Sequence, residues 1–254
     1  MRLTVLGRWG GYPAPGGACP GYLLEEDGFL LLIDCGNGIL SRLQHYCRVH
    51  ELSTVILSHL HSDHILDLYP LRLALEFARY PELSQTRLLV LAPEGAPEVL
   101  TSLLIPQASK ERFLAFLEFR PIDPSRPESL GPFQITFAPV AHTIPTFAMA
   151  IEAAGRRLVY SADTAPCDAL EELAAGADLF LCEATLRERE AHLAPQVGHL
   201  TGRMAGSIAR HARVRRLLLT HFFPPNTPEE SAIEAAKEFT GEVLVSEEGR
   251  SYEI

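Results

Sequence analysis

The sequence predicts an α/β protein in which two β-sheets pack face to face and helices cover their outer sides. One observation is the order of patterns along the 254 residues, which runs from a strand-rich first half through a helical middle to a strand-rich second half. A second is that several apolar strands end in an acidic residue or a histidine, which is typical of sites in layered α/β proteins. The composition, 47% hydrophobic and 21% charged, is that of a globular protein, and the length is sufficient for a sizeable core. We expect one domain that spans residues 1–254.

In the first half, short apolar runs bounded by glycine, proline and charged turns predict strands. These strands are Leu3–Leu6, Gly21–Leu24, Phe29–Ile33, Val55–Leu57 and Leu88–Leu91. The third run is apolar on both faces, which indicates a strand covered by other layers on both sides. Apolar residues at helical spacing predict helices over Ile39–Val49 and Pro70–Arg79, and a helical stretch over Glu94–Leu117 that Pro106 interrupts.

In the second half, Arg120–Pro132 is rich in proline and is predicted to be a loop, with room for a short strand before it. The strands expected after it are Phe133–Phe137, Thr146–Ile151, Arg157–Tyr160, Leu179–Cys182, Arg216–Leu219 and Val243–Val245. Helices are expected over Pro166–Ala175, Thr201–His211 and Pro228–Phe239. Thr201 fits the N-cap of its helix, because a threonine hydroxyl can accept a hydrogen bond from the first turn.

Charge and cysteine usage narrow the class of protein. The net charge is −10, which does not favour a broad electrostatic grip on nucleic acid. The five cysteines are an odd number without a Cys-x-x-Cys pair, which is typical of reduced thiols in the cytosol. The apolar start Met1–Gly7 is too short for a signal-peptide core, and no apolar run reaches membrane-spanning length. We therefore expect a cytoplasmic protein with no membrane partner.

The densest group of metal-ligating side chains follows the strand Val55–Leu57. It contains His59, His61, Asp63 and His64. In an extended chain the first three would point the same way, and His64 would follow where the chain turns into a helix. Imidazoles and a carboxylate without thiolates suit zinc, manganese or iron better than magnesium or calcium.

Other strands end in similar residues, namely Asp34, His142, Asp163 and His221. Of these four, His142, Asp163 and His221 join the cluster to make seven candidate ligands, which is more than one zinc ion uses, since zinc takes about four. We therefore expect two divalent cations, with Zn²⁺ favoured and Mn²⁺ or iron as alternatives. The proposed division places His59, His61 and His142 on one ion, Asp63, His64 and His221 on the other, and Asp163 between them.

These motifs resemble those of the metallo-β-lactamase superfamily, and most closely the branch that contains RNase Z, the tRNA 3′-end endonuclease, and small phosphodiesterases. The resemblance implies a four-layer αββα sandwich, with two mixed β-sheets, helices on the outer faces and two metals at one edge. Asp34-Cys35-Gly36 is similar to an Asp-x-Gly element whose acid supports the metal-binding loop. Ser161–Thr164 resembles the bridging-aspartate motif, and Leu219–Phe222 resembles the final-ligand motif.

Two further motifs point to the RNase Z branch. Cys182–Thr185 resembles its His-Glu-Ala-Thr element, with Cys182 in place of histidine. Gly198–Thr201 resembles its His-Ser-Thr element, with Leu200 in place of serine. The resemblance implies that His199 contacts the phosphate or serves as the acid, and that Glu183 orients His199 and raises its pKa. Cys182 itself is expected to be a small buried hydrophobe.

The expected function is hydrolysis of small, cyclic phosphodiesters, with Asp63, Glu183 and His199 as the candidate catalytic residues. Two cations about 3.5–4 Å apart would activate a shared water molecule for attack on phosphorus. The long basic, Gly-rich arm with which RNase Z grips tRNA has no counterpart here, so structured RNA is the less favoured substrate. The alternatives are an RNase Z activity, hydrolysis of esters, thioesters, lactones or lactams, and a non-catalytic carrier.

Two expectations concern partners. The branch is often dimeric, so a homodimer is expected by analogy. Four aromatic residues lie near the proposed site, and they could either stack a nucleobase or simply pack the site loops. They are Trp9, Tyr12, Phe222 and Phe223.

Overall fold

The computed structural model describes residues 1–77, 87–102, 104 and 107–254. In chain order, the strands in these ranges are β1 (Arg2–Gly7), β2 (Gly21–Glu26), β3 (Phe29–Ile33), β4 (Thr54–Ile56), β5 (Leu88–Ala92), β6 (Leu117–Pro121), β7 (Glu128–Leu130), β8 (Phe133–Pro139), β9 (Phe147–Ala153), β10 (Arg156–Tyr160), β11 (Leu179–Glu183), β12 (Arg216–Thr220), β13 (Glu242–Val245) and β14 (Ser251–Glu253). The α-helices are α1 (Ile39–Leu43), α2 (Ser62–Ile65), α3 (Leu68–Phe77), α4 (Ala96–Thr101), α5 (Gln107–Leu114), α6 (Asp168–Leu173), α7 (Ala194–Val197), α8 (Gly202–His211) and α9 (Pro228–Ala235). Short 3₁₀ helices occupy Val49–Glu51 and Glu188–Leu193.

The strands form two mixed sheets, as predicted, and each sheet has seven strands in the described part of the chain. The first sheet has the order β14-β1-β2-β3-β4-β5-β6, and the second has the order β13-β12-β11-β10-β9-β8-β7. In each sheet one half is antiparallel and the other half is parallel. Parallel neighbours require crossover connections, and these carry helices to the outer faces. The result is the expected four-layer αββα arrangement.

Three apolar clusters fill the spaces between these layers. One lies between the two sheets, one between the first sheet and its helices, and one between the second sheet and its helices. Strand β3 shows why its sequence is continuously apolar. Leu31 and Ile33 belong to the cluster between the sheets, whereas Leu32 belongs to the cluster beneath the helices. The predicted burial of this strand on both faces is confirmed.

Some element boundaries were predicted wrongly. Leu117 begins strand β6 instead of ending a helix, and the predicted loop Arg120–Pro132 contains the end of β6 and all of β7. Strand β6 lies at the edge of the first sheet, where Pro121 can be tolerated because an edge strand need not donate every ladder hydrogen bond. Residues 78 and 79 of one predicted helix, and Pro106, lie outside the described residues.

Two helices end earlier than their apolar patterns suggested, α1 at Leu43 and α9 at Ala235. Phe239 follows α9 and still packs in the core, which explains why the apolar pattern continued past the helix. The predicted N-cap is confirmed, since the Thr201 hydroxyl accepts a hydrogen bond from the Met204 backbone N–H at 3.2 Å. Among the described helices, none combines the length and the apolar character needed to cross a bilayer.

Candidate metal centre

The candidate site residues follow the ends of several strands, and these strand ends meet at one edge of the sandwich. Asp34 follows β3 and the histidine cluster follows β4, which runs parallel to β3 in the first sheet. Asp163 and His221 follow β10 and β12, and Glu183 ends β11, all three strands being parallel neighbours in the second sheet. Parallel strands bring their carboxyl ends to the same edge, so residues far apart in sequence become neighbours.

The segment after β4 differs in one respect from the prediction. His61 is extended, with φ −66° and ψ 148°, but helix α2 begins at the next residue, Ser62. The helical turn directs the Asp63 carboxylate away from His59 and His61 and towards His64 and His221. The expectation that His59, His61 and Asp63 point the same way was therefore wrong.

The ligating side chains separate into two clusters around one carboxylate. We call His59, His61 and His142 the first ligand group, and Asp63, His64 and His221 the second ligand group. In the first, His61 Nδ1 lies 3.0 Å from His142 Nε2. In the second, the two Nε2 atoms of His64 and His221 are 3.1 Å apart.

Asp163 lies between the two groups. Its Oδ2 is 3.6 Å from His59 Nε2 and 3.2 Å from His221 Nε2. The side chain therefore reaches a member of each group with the same oxygen. The structure thus brings all seven predicted ligand residues together at one place.

Two buried polar atoms among these side chains have no hydrogen-bond partner and could instead bind divalent cations. His59 Nε2 and Asp163 Oδ1 are buried and have no hydrogen-bond partner. Leaving such atoms unpaired costs about 1–3 kcal/mol each, or more when the group is charged. A cation between them would satisfy both atoms, and imidazole nitrogens with carboxylate oxygens suit zinc, manganese or iron.

Hydrogen bonds at the outer ring nitrogens orient four of the histidines. Their Nδ1 atoms contact Ser58 Oγ (His59, 3.0 Å), Asp34 Oδ2 (His64, 2.9 Å), the Gly198 carbonyl (His142, 2.8 Å) and Thr185 Oγ1 (His221, 2.8 Å). A ring whose Nδ1–H donates outward presents the lone pair of Nε2 inward, as a metal ligand requires.

Asp34 is the most heavily bonded of these outer groups. Its carboxylate is fully buried and accepts hydrogen bonds from the Ser58 N–H, the Ser58 hydroxyl, His64 Nδ1 and the Tyr160 hydroxyl, at 2.7–2.9 Å. Its backbone is left-handed, with φ 57°, which is strained for a residue other than glycine. Ala162 and His221, at φ 50° and 54°, share this conformation beside the site. The bonds to Asp34 hold its strained turn against relaxation.

The charges in the cluster favour anionic carboxylates. Burial alone would raise the pKa of Asp163, but the neighbouring His221, His64 and His59 hold it well below its usual range. Burial lowers the pKa values of His59, His61 and His142 in the first ligand group. His64 behaves differently, because the charges of Asp163, Asp34 and Asp63 outweigh its burial and raise its pKa well above the ordinary value.

A hydrogen-bonded pair, Glu183 and His199, lies beside both ligand groups. Glu183 is fully buried and contacts His199 Nδ1 at 3.0 Å, while it accepts hydrogen bonds from the Thr164 N–H and the Thr185 hydroxyl. Burial alone would lower the pKa of His199, but the charge and hydrogen bond of Glu183 prevail and raise it to about 9. The His199 ring stacks on His221 with centroids 5.5 Å apart.

The two substituted motif positions near this pair face the core. Cys182 and Leu200 are fully buried and belong to the cluster beneath the helices of the second sheet. Burial raises the pKa of the Cys182 thiol well above its usual value. This is the behaviour expected of a small buried hydrophobe.

Sequence reasoning gave no role to several groups that the structure places at the site. The Gly11 N–H donates to Asp63 Oδ2 at 2.7 Å, and a Cβ at Gly10 would lie 2.3–2.8 Å from atoms of the His221 ring. Tyr160 and Thr185 support Asp34 and His221. The Gly10-Gly11 pair was visible as a loop, but its approach to residues more than fifty positions away was not.

A cavity of about 400 Å³ opens onto the cluster. Residues of both ligand groups, Asp163 and His199 form its floor. The remaining lining residues are Gly10, Gly11, Thr185, Leu186, Glu190, Val197 and Phe223. A cavity of this size accommodates a small molecule.

Comparison with known proteins gives a consistent result. The family model described as "Beta-lactamase superfamily domain" matches residues 30–222. The chain is 32% identical over 253 residues to the probable metallo-hydrolase YhfI of Bacillus subtilis, with 100% of both chains covered. It is also 31% identical over 286 residues to a ribonuclease Z of Mycobacterium bovis, covering 100% of this chain and 98% of the relative.

Solved structures agree with this match. The crystal structure of YhfI from Bacillus subtilis has a TM-score of 0.89 at 31% identity and covers 99% of this chain and 98% of that one. A diphosphatase from the PhnP family has a TM-score of 0.77 at 21% identity, covering 100% and 97%, and at that identity it shows the shared fold alone.

Proposed function

Because the chain belongs to the β-lactamase superfamily and is a metallo-hydrolase of that fold, we propose that it hydrolyses small, cyclic phosphodiesters with two divalent cations bound. The observation that carries this proposal is the Glu183–His199 pair beside the two ligand groups. A cationic imidazole at this place suits an anionic phosphoryl group, whereas a neutral ester or lactam has no need of it.

The ligand groups would hold the cations, one on His59, His61 and His142 and one on the second ligand group, with Asp163 shared. Zn²⁺ fits this donor set, as do Mn²⁺ and iron. When bound, such a pair supplies positive charge for the phosphoryl oxygens and lowers the pKa of a water molecule towards neutrality. Asp63 is held by the Gly11 N–H, so its carboxylate is already oriented towards the second ligand group.

His199 acts on the leaving side of the reaction. Its Nδ1 is occupied by Glu183, so Nε2 is the nitrogen that can face substrate. With a pKa of about 9 the ring is protonated at neutral pH. As water oxygen bonds to phosphorus and the ester P–O bond breaks, Nε2–H donates its proton to the departing oxygen. Glu183, fully buried, stabilises the charged ring before the proton leaves.

Size and charge support a small substrate. The cavity measures about 400 Å³, and no lysine or arginine is among the described residues that line it. The whole chain carries a net charge of −10. Long nucleic acids are bound through many phosphate contacts by lysine and arginine, which such a surface does not favour.

An RNase Z activity is the second candidate, and the 31% identity to a ribonuclease Z over the full chain favours it. A gel assay with precursor tRNA, run beside an assay with 3′,5′-cyclic AMP and 2′,3′-cyclic AMP, separates the two. Cleavage of precursor tRNA without turnover of either cyclic nucleotide would replace the proposal. Turnover of thioesters alone would favour a carboxyl-ester hydrolase.

The role of His199 is tested by His199→Ala on enzyme loaded with zinc, manganese or iron. Loss of a general acid lowers kcat by about 100-fold or more. Metal content should remain at the wild-type level, because His199 is not assigned to either ligand group.

The chain offers a matched control in His211, an exposed histidine 3.3 Å from the Glu171 carboxylate. His211→Ala removes a similar pair far from the cluster and should leave turnover unchanged. Loss of metal in His199→Ala would instead make His199 a ligand, in line with its position near Asp163 and His221.

A further inference from the structure

The cavity extends beyond the ligating residues, and its wall there is mainly apolar and aromatic. Outside the His/Asp cluster it is lined by Leu186, Val197 and Phe223, with the carboxylate of Glu190 beside them. Apolar and aromatic side chains here mean that the part of a ligand remote from the cluster is itself apolar on at least one face.

The four aromatic residues near the site divide into two pairs with different environments. Phe222 is fully buried, and its ring meets Trp9 edge to face at 6.5 Å, while the two residues also pair through their backbones. That pair fastens the N-terminal loop to the end of β12. In contrast, Tyr12 is 48% exposed and Phe223 is 38% exposed, and their rings meet edge to face at 5.6 Å.

The exposed pair is held at a fixed place relative to the ligand groups. Phe223 lies two residues after His221, and both side chains line the cavity, whereas Phe222 between them points into the core. Tyr12 follows Gly11, whose N–H donates to Asp63 Oδ2. Tyr12 is therefore anchored through its neighbour Gly11, and Phe223 lies two residues from a member of the second ligand group.

The charges in this part of the cavity limit which chemical groups the remote end of the ligand can carry. Glu190 accepts a hydrogen bond from the Arg187 N–H through Oε2 at 3.0 Å, and its Oε1 is 3.9 Å from Arg189 Nε. With this carboxylate present and no lysine or arginine among the described lining residues, a second phosphoryl group is disfavoured there. The Glu190 carboxylate can instead accept a hydrogen bond from an N–H group of the ligand.

We propose that Phe223, supported by Tyr12, is the docking surface for the nucleobase of a mononucleotide whose phosphoryl group lies at the ligand groups, with Glu190 accepting from N–H donors of the base. This assignment rests on the proposed function, because it requires a phosphoryl group at the cluster. It names the substrate class as a nucleotide with one phosphoryl group. Base stacking on aromatic rings is tolerant of base identity, so Glu190 would supply the preference for an amino-bearing base.

The test compares two ligands that share a phosphoryl group and differ in the base. AMP and ribose 5-phosphate are titrated calorimetrically into metal-loaded protein. Phe223→Ala should weaken AMP binding about tenfold, as loss of one base–aromatic stack does, and change ribose 5-phosphate binding less than twofold. Phe223→Trp should retain AMP affinity, whereas Phe223→Leu, which keeps the bulk but not the ring, should lose it.

Phe77, 72% exposed on α3, provides the control. Phe77→Ala removes a comparable exposed phenyl ring outside the cavity lining and should leave both affinities unchanged. Circular dichroism and metal content establish that each variant is folded and loaded.

Three outcomes are distinguishable. Equal weakening of both ligands by Phe223→Ala, or an unchanged preference for AMP, overturns the nucleobase site. A selective loss of AMP binding supports it. If that selective loss is found while the wild-type enzyme turns over no phosphodiester, the nucleobase site stands and the proposed hydrolysis fails.

Discussion

The two ligand groups use similar residues but are built differently. Every member of the second ligand group is buried, and each is held from outside by Asp34, Thr185 or the Gly11 N–H. In the first ligand group His61 is only half-buried and faces the cavity. The contrast teaches that one half of the centre is fixed before any cation arrives, while the other half retains an adaptable member on the substrate side.

We expect the largest effect from substitution of Asp163, the carboxylate that lies between the two ligand groups. Asp163→Asn removes the one negative charge that both groups share, so both cations should be lost and kcat should fall by more than about 100-fold, the upper range for outer-shell substitutions. Metal per chain after dialysis, measured by plasma mass spectrometry, checks this.

Asp178→Asn is the control, because Asp178 is also held by several donors, including the Arg157 N–H at 2.9 Å, but lies away from the cluster. Retention of two ions by Asp163→Asn would show that the aspartate is not shared.

A pair of histidine substitutions compares the two groups directly. His64→Ala leaves buried carboxylates without their partner, and breaking a buried ion pair costs about 3–5 kcal/mol. His61→Ala removes a half-buried ring and should cost about 1 kcal/mol or less in unfolding free energy. Urea unfolding of the metal-free variants measures the difference. Equal destabilisation would contradict the proposed asymmetry.

Asp34 supports the second ligand group directly through His64 Nδ1, and it reaches the first ligand group only through Ser58, whose Oγ contacts His59 Nδ1. Asp34→Asn replaces an acceptor of four hydrogen bonds with a group that also donates, so His64 loses its orientation. Affinity for the cation at the second ligand group should fall about 10–100-fold, and affinity for the other cation should fall less.

Competition with a chelator measures both affinities. The control is Asp67→Asn, because Asp67 accepts from the Leu40 N–H at 2.8 Å and does not contact the cluster. Equal weakening of both cations by Asp34→Asn would mean that the groups are not independent.

The smallest effect is expected from Tyr160→Phe. It removes one of the four donors to Asp34 but keeps the ring that packs on Tyr22 at 5.2 Å. The unfolding free energy should fall by about 1 kcal/mol, as for loss of one buried hydrogen bond. Affinity for the cation at the second ligand group should decrease slightly.

Tyr22→Phe is the control, since the Tyr22 hydroxyl bonds Thr220 Oγ1 at 2.8 Å and not Asp34. It should cost similar stability without a change in metal affinity. If both substitutions alter metal affinity alike, Tyr160 has no specific role.

Several expectations from the sequence stay predictions. They are the single domain over residues 1–254, the homodimer, the cytoplasmic location, and the assignment of each ligand to its cation. Light scattering coupled to gel filtration measures the oligomeric state, and metal analysis under saturating zinc measures the number of ions. About one ion per chain would contradict the dinuclear assignment.

Much of the fold was predictable because strands and helices carry local periodicity. The strand β3 and the cap at Thr201 followed from residues within one segment. The boundaries that were wrong, such as Leu117, depend on a neighbour: β6 exists because β5 offers it a hydrogen-bonding edge. A short strand such as β14, with one buried residue, Tyr252, between two exposed ones, has too little pattern to be recognised alone.

The sequence by itself determined the chemistry of the centre, because side-chain type and local spacing after β4 define imidazole and carboxylate donors without thiolates. Only the tertiary structure decided which donors lie together, since helix α2 places Asp63 with His64 and His221 and not with His59 and His61. It also decided which groups hold the ligands from outside. The Gly11 N–H reaches Asp63 only because the packing of the layers brings the N-terminal loop across the site, and no local pattern encodes contacts at that separation.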